Sequence, residues 1–138
     1  MATFLVDKSV LARQGTRVEV REALDPLLSK GEVATCGIID LEVLYSASSR
    51  SGYRATAEAL RTMPRAPLDE QCVERALAVQ RSLAEHSQHR AVNLPDLLIA
   101  ACAERAGLVV LHYDADYDRI ATVTGQPTRW VVPRGSVS

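Results

Sequence analysis

The chain has 138 residues, 47% of them hydrophobic, enough for one domain with a real core and too short for two comfortable ones. A net charge of −1 excludes a protein that grips nucleic acid through a broadly basic surface, though not one with a local basic rim. No segment approaches the roughly 18 uninterrupted apolar residues of a membrane helix, and Met1 to Asp7 meets an acid before any signal-peptide core can form, so a soluble, cytoplasmic protein with no membrane association is expected. Cys36, Cys72 and Cys102 are odd in number and far apart, with no C-x-x-C pair; they read as reduced core thiols, and a zinc site is unsupported.

In chain order, Thr3 to Val6 is a short apolar strand that ends in Asp7, and Ser9 is placed to cap a short helix that stops near Gly15. Val20, Ala23, Leu24, Leu27 and Leu28 keep helical spacing between Arg17 and Lys30, and Gly31 closes the segment. Glu32 to Thr35 gives a second strand. Gly37 to Ala47 is a largely apolar helix, left through Ser48, Ser49, Ser51 and Gly52, and Tyr53 to Met63 is a more exposed one before Pro64 and Pro67. Asp69 caps a helix running to about Glu85, with Val73, Ala76, Leu77, Gln80, Leu83 and Ala84 as its expected buried face.

Pro95 in the first turn and Gly107 at the exit bound a helix that is apolar on nearly every side, and is therefore expected to be buried, with Asp96 at its start. Leu108 to Leu111 is a continuous apolar run suited to a parallel strand covered on both faces, and His112, Asp114 and Asp116 follow it. Tyr117 to Val123 reads as a helix, Asp118 as part of its solvated first turn, and Arg129 to Val132 as a last strand. Short strands alternating with helices define an α/β sandwich: a mostly parallel, short-stranded sheet flanked by helices. Ligands of such sheets bind beyond the carboxyl ends of the strands, where Asp7 and Asp114 fall.

Asp40 and Glu42 are two residues apart on one helix, so roughly 200° of rotation separates them. Asp40 sits in the first turn, where a carboxylate complements the helix dipole. Glu42 falls on the stripe Ile38, Leu41, Glu42, Tyr45, which is expected to face inward. An ionised carboxylate there needs a cation partner, a raised pKa or a metal. Asp7, Glu42, Asp96 and Asp114, with Asp116 alongside, thus gather near one end of the sheet, and no lysine or arginine is placed to neutralise all of them. An oxygen-only donor set favours Mg²⁺ or Mn²⁺, the usual equipment of phosphodiester hydrolysis. Taken singly, Asp7 could instead only terminate a strand, Asp96 be only a first-turn acid, and Asp114 and Asp116 form only a turn that caps the next helix; Glu42 has no such reading.

Four segments carry a resemblance. Leu5-Val6-Asp7-Lys8-Ser9, Leu41-Glu42-Val43-Leu44-Tyr45-Ser46-Ala47, Pro95-Asp96-Leu97-Leu98-Ile99-Ala100-Ala101 and His112-Tyr113-Asp114-Ala115-Asp116-Tyr117 resemble, in order and spacing, those of PIN-domain ribonucleases, VapC-type toxins of bacterial toxin-antitoxin pairs. The resemblance spans nearly the whole chain and implies one PIN-like nuclease domain over residues 1–138. It further implies a Mg²⁺- or Mn²⁺-dependent endoribonuclease acting on RNA, a cognate VapB-like antitoxin and a homodimer. Asp7, Glu42, Asp96 and Asp114 correspond to the family's catalytic, metal-binding quartet, and Asp116 to a supplementary ligand or supporting group. Lys8 stands where many relatives carry Thr or Ser, and could bind a phosphate or offset the quartet's charge. Ser9 matches the family's small hydroxyl residue, and His112 is a candidate phosphate or supporting contact. Arg13, Arg17, Arg119, Arg129 and Arg134 could form an RNA-binding rim. An inactive PIN-like RNA- or protein-binding module is the main alternative. A receiver-like phosphoacceptor domain fits poorly, since it needs a late lysine and the lysines stop at Lys30.

Overall fold

The computed structural model describes residues 2–138. Among the described residues the chain runs β1 (Phe4–Val6), α1 (Lys8–Gln14), α2 (Val18–Ser29), β2 (Val33–Ala34), α3 (Gly37–Tyr45) and α4 (Arg50–Arg61), then α5 (Glu70–Ala84), α6 (Leu94–Ala106), β3 (Val109–His112), α7 (Asp116–Thr124) and β4 (Thr128–Trp130). The four strands form one all-parallel sheet in the order β2-β1-β3-β4.

Alternation along the strands divides the core in two. Leu5, Ala34 and Val110 face one layer, with Ile39 of α3, Leu83 of α5, Ile99 of α6 and Ile120 of α7. Phe4, Val6, Val33 and Leu111 face the other, with Val10 of α1 and Val20 and Leu24 of α2. Both faces of the sheet are therefore dry over β1, β2 and β3, which is why those strands read as unbroken apolar runs, whereas the edge strand β4 is only partly covered. Full burial of each such side chain contributes about 1.5–3 kcal/mol.

The order of the strands fixes where a site can form. From β1 the chain moves to one side to make β2, then returns through α3 to α6 and lays β3 on the other side of β1. The connections thus reverse direction between β1 and β3, and the crevice beyond their carboxyl ends is the natural ligand position in an open parallel sheet. The α6 helix packs against both strands and is closed by Gly107, whose φ of 70° is a left-handed cap that glycine adopts without strain.

Three local expectations need correction. The cap of α1 is Asp7, whose side chain accepts from the backbone N–H of Ser9, rather than Ser9 itself. The expected inward stripe of α3 is split: Leu41 and Tyr45 are 67% and 91% exposed, while Ile39 is buried and Ile38 and Val43 pack against the core. Glu42 lies at the edge of that inner face. The buried face of α5 is Cys72, Ala76, Val79 and Leu83, and Leu77 and Ala84 are exposed. The three cysteines are free and buried. No helix among the described residues is long and apolar enough to cross a membrane.

Candidate active site

Asp7 follows the last residue of β1, and Asp114 lies two residues beyond the end of the neighbouring β3. The first turn of α6 brings Asp96 over the same edge. Each of these three acids offers an oxygen, and the three oxygens lie within 4.8 Å of one another. They open into a cavity of about 380 Å³ that is also lined by Lys8, Ser9, Glu42, Asn93, Leu94 and Pro95. A larger groove of about 570 Å³ lies among α1, α2 and α4, but no carboxylate lines it.

The protein itself holds one side of every acid. Asp7 Oδ2 accepts from the Ser9 N–H at 3.0 Å, and Asp7 Oδ1 from the Tyr117 hydroxyl at 2.7 Å. That hydroxyl also lies 3.3 Å from Asp96 Oδ1. Asp114 Oδ1 accepts from the Asp116 N–H at 2.9 Å. By contrast Asp96 Oδ2 is buried without a hydrogen-bond partner among the described residues, and so is Glu42 Oε1.

Burial pushes the carboxyl of Asp96, which is 5% exposed, up to about 9; the adjacent Asp116 carboxyl and the charges of Asp7 and Asp114 act in the same direction. Glu42 is raised too, first by burial and then by Asp7 and Asp114, against the opposing pull of Lys8. The Lys8 ammonium, 52% exposed at the cavity mouth, lies 3.5 Å from Glu42. Unpartnered buried carboxylate oxygens and an all-oxygen donor set are what a hard divalent cation satisfies, so Asp7, Asp96 and Asp114 fit such an ion. Glu42 faces the same cavity but stands outside that group of three.

The remaining predicted residues have structural attachments of their own. Asp116 does not line the cavity: its Oδ2 accepts from the Asn93 N–H at 3.0 Å and its Oδ1 from Arg119 at 3.3 Å, tying the start of α6 to α7. Ser9 Oγ accepts from the Tyr113 N–H at 2.9 Å, which anchors α1 to the loop carrying Asp114. His112 is fully buried; its Nδ1 accepts from the Asp114 N–H at 3.2 Å, and burial lowers its pKa against the opposing pull of Asp118, Asp7 and Asp114. Asp40 lies elsewhere, paired with Arg65 and accepting from the Thr35 hydroxyl.

Of the rim candidates, Arg13 stacks on Tyr113, Arg129 lies over Phe4 and Arg134 over Trp130, while Arg17 bonds Ser138. Asp118 is half-buried rather than solvated, because its carboxylate accepts from the Trp130 indole at 3.3 Å.

Two contributors escaped the sequence reading. Asn93 lines the cavity, and Tyr117 sits fully buried behind the lining acids, its hydroxyl between Asp7 and Asp96. The available signal for Tyr117 was its place three residues after Asp114, one helical turn along, where a side chain returns toward the acidic turn.

A parallel sheet with an acidic crevice at the β1/β3 reversal defines a class of metal-competent α/β domain, and comparison makes the class specific. The PIN domain profile matches residues 4–123. Ribonuclease VapC51 of Mycobacterium tuberculosis is 48% identical over 134 residues, covering 97% of this chain and 96% of the relative. Ribonuclease VapC18 of the same organism is 43% identical over 136 residues, covering 97% and 98%. The crystal structure of DNA-bound VapBC from Salmonella typhimurium matches with a TM-score of 0.77 at 19% identity, over 96% of this chain and all (100%) of that one. A toxin-antitoxin complex from Klebsiella pneumoniae matches at 0.74 and 22% identity, over 94% and 98%, and both speak to the fold alone. The chain belongs to the PIN domain family and, within it, to the VapC group.

Proposed function

We propose that this chain is a divalent-metal-dependent endoribonuclease toxin that hydrolyses RNA phosphodiester bonds and is neutralised by a VapB-like antitoxin. The observation that carries the reading is the convergence of Asp7, Asp96 and Asp114, with an unpartnered buried oxygen on Asp96, at the β1/β3 reversal. The ribonuclease names of its relatives support the activity, and the toxin-antitoxin titles of its structural neighbours support the partner.

Asp7, Asp96 and Asp114 would hold the ion, Mg²⁺ or Mn²⁺, and Glu42, which lines the same cavity, would complete the acidic quartet. Once bound, such an ion lowers the pKa of an attacking water and offsets charge on the scissile phosphate. The chain's own residues do the rest. Lys8 at the mouth meets an incoming phosphate, which draws it away from Glu42. Ser9 and His112 fix the backbone of the loop that presents Asp114, and Asp116 fixes the start of the helix that presents Asp96. The active form is a soluble cytoplasmic homodimer, with residues 1–138 as one nuclease domain.

Incubating purified protein with total RNA tests the reading. Cleavage must appear with Mg²⁺ or Mn²⁺, vanish with chelator and on adding the cognate antitoxin, and fall at least about a hundred-fold in Asp96→Asn. Full cleavage by that variant, or by wild type in chelator, refutes it. A catalytically silent wild type that retains RNA would instead establish the inactive binding module.

A further inference from the structure

A phenol has one hydrogen to give, and Tyr117 points its own between two carboxylates. Its hydroxyl lies 2.7 Å from Asp7 Oδ1 and 3.3 Å from Asp96 Oδ1, in a side chain with no exposed surface. The ring is fixed from outside the site, tilted against the His112 imidazole at a centroid distance of 4.9 Å and embedded in the larger core cluster. The hydroxyl therefore cannot swing away without moving α7.

Three elements meet at this oxygen: the end of β1 through Asp7, the start of α6 through Asp96, and α7 through Tyr117. With Ser9 N–H on Asp7 Oδ2, both oxygens of Asp7 are engaged, whereas on Asp96 the phenol engages Oδ1 and leaves Oδ2 without a partner. We propose that Tyr117 is a positioning residue of the metal site, its hydroxyl tying Asp7 and Asp96 together so that the cation meets a preorganised pair. The inference rests on the metal-dependent reading above. Hydrogen-bond donors behind metal ligands set their orientation and charge, and losing one typically lowers metal affinity ten- to a hundred-fold, roughly. Phenylalanine retains the ring and its packing and deletes only the donor.

The test is Mn²⁺ binding, measured by the loss of the free-ion electron paramagnetic resonance signal, with wild type, Tyr117→Phe and Ile120→Val. Ile120 is fully buried on the same helix and touches none of the acids by hydrogen bond, so its shortening reports general loosening of α7. Tyr117→Phe is expected to raise the Mn²⁺ dissociation constant about ten-fold, to raise the metal concentration for half-maximal cleavage in parallel, and to approach wild-type cleavage at saturating metal. Ile120→Val is expected to lower the melting temperature without moving the constant. An unchanged constant in Tyr117→Phe overturns the proposal, as does an equal rise in Ile120→Val. No Mn²⁺ binding by wild type would overturn the metal-dependent reading first. Should Tyr117→Phe not fold, the tyrosine ultraviolet difference spectrum of wild type on adding Mg²⁺ decides: a perturbation is expected, and a flat spectrum overturns the proposal.

Discussion

Asp96→Asn should make the metal-free protein more stable while abolishing its proposed activity, and the gain should grow with pH. In the folded chain burial lifts the Asp96 carboxyl to about 9, helped by its contact with Asp116 and by the neighbouring acids. In the unfolded chain it titrates at roughly 3.9. Between those values the folded state holds a proton that the unfolded state has released, so stability falls as pH rises, by up to about 1.4 kcal/mol per unit. The stability tied to this proton is complete below the unfolded value and gone once pH passes about 9.

At pH 8 the window spans about four units, a ceiling of about 5–6 kcal/mol, and at pH 5 only about 1.5 kcal/mol. The high effective dielectric of real sites and relaxation around the charge leave about 2–4 kcal/mol at pH 8, or about 5–15 °C in melting temperature for a chain of this size. An amide in place of the carboxyl carries no such proton and keeps an oxygen for Tyr117. Thermal unfolding followed by circular dichroism, in chelator at pH 5 and pH 8, measures the difference. Mg²⁺ should then raise the wild-type midpoint and leave the variant unmoved. A variant no more stable than wild type at pH 8, or a gain that does not grow from pH 5 to pH 8, refutes the reasoning.

Ser9→Ala strips the Tyr113 N–H of its 2.9 Å acceptor, so chemical denaturation should show a loss of about 1–2 kcal/mol, and RNA cleavage should fall because the Asp114 loop loses an anchor. Arg75→Met breaks the two-point pairing with Glu104 at 2.6 and 3.2 Å that joins α5 to α6 away from the cavity; both side chains are partly exposed, so at most about 1 kcal/mol of stability should go, with cleavage rates unchanged.

The elements that were easiest to read are those most completely buried. β1, β3 and the middle of α6 announce themselves as apolar runs between breakers because they are covered on nearly every side. The faces of α3 and α5 were not legible to the same degree. In Gly37–Tyr45 almost every position is apolar, so the run carries scarcely any helical periodicity, and spacing alone points Leu41 and Tyr45 inward although they face out. On α5, Val73 and Leu77 compete with Cys72 and Val79 for the same stripe, and only the packing against α6 selects between faces about 100° apart. The acids at strand ends were legible because an end of a buried strand is a fixed place in the fold. Tyr117 was not, since nothing local to α7 states that β1 and α6 will converge on its hydroxyl.

The fold and the site share their groups. One oxygen of Asp7 caps α1 and the other takes the Tyr117 hydroxyl; one oxygen of Asp114 caps the turn into α7; Asp116 binds the backbone that opens α6. Asp7, Asp114 and Asp116 are thereby oriented by the same hydrogen bonds that start or anchor helices, so their placement is set when the helices form. What the fold leaves undone is narrower: the mutual repulsion of three carboxylates and the unpartnered oxygens of Asp96 and Glu42. Filling the Asp96 position with an apolar residue would relieve that repulsion and would remove any reason for a cation to enter. A chain that keeps a carboxyl at this depth, with its neighbours held by bonds that do not depend on it, retains a crevice whose unpartnered oxygen a cation can satisfy.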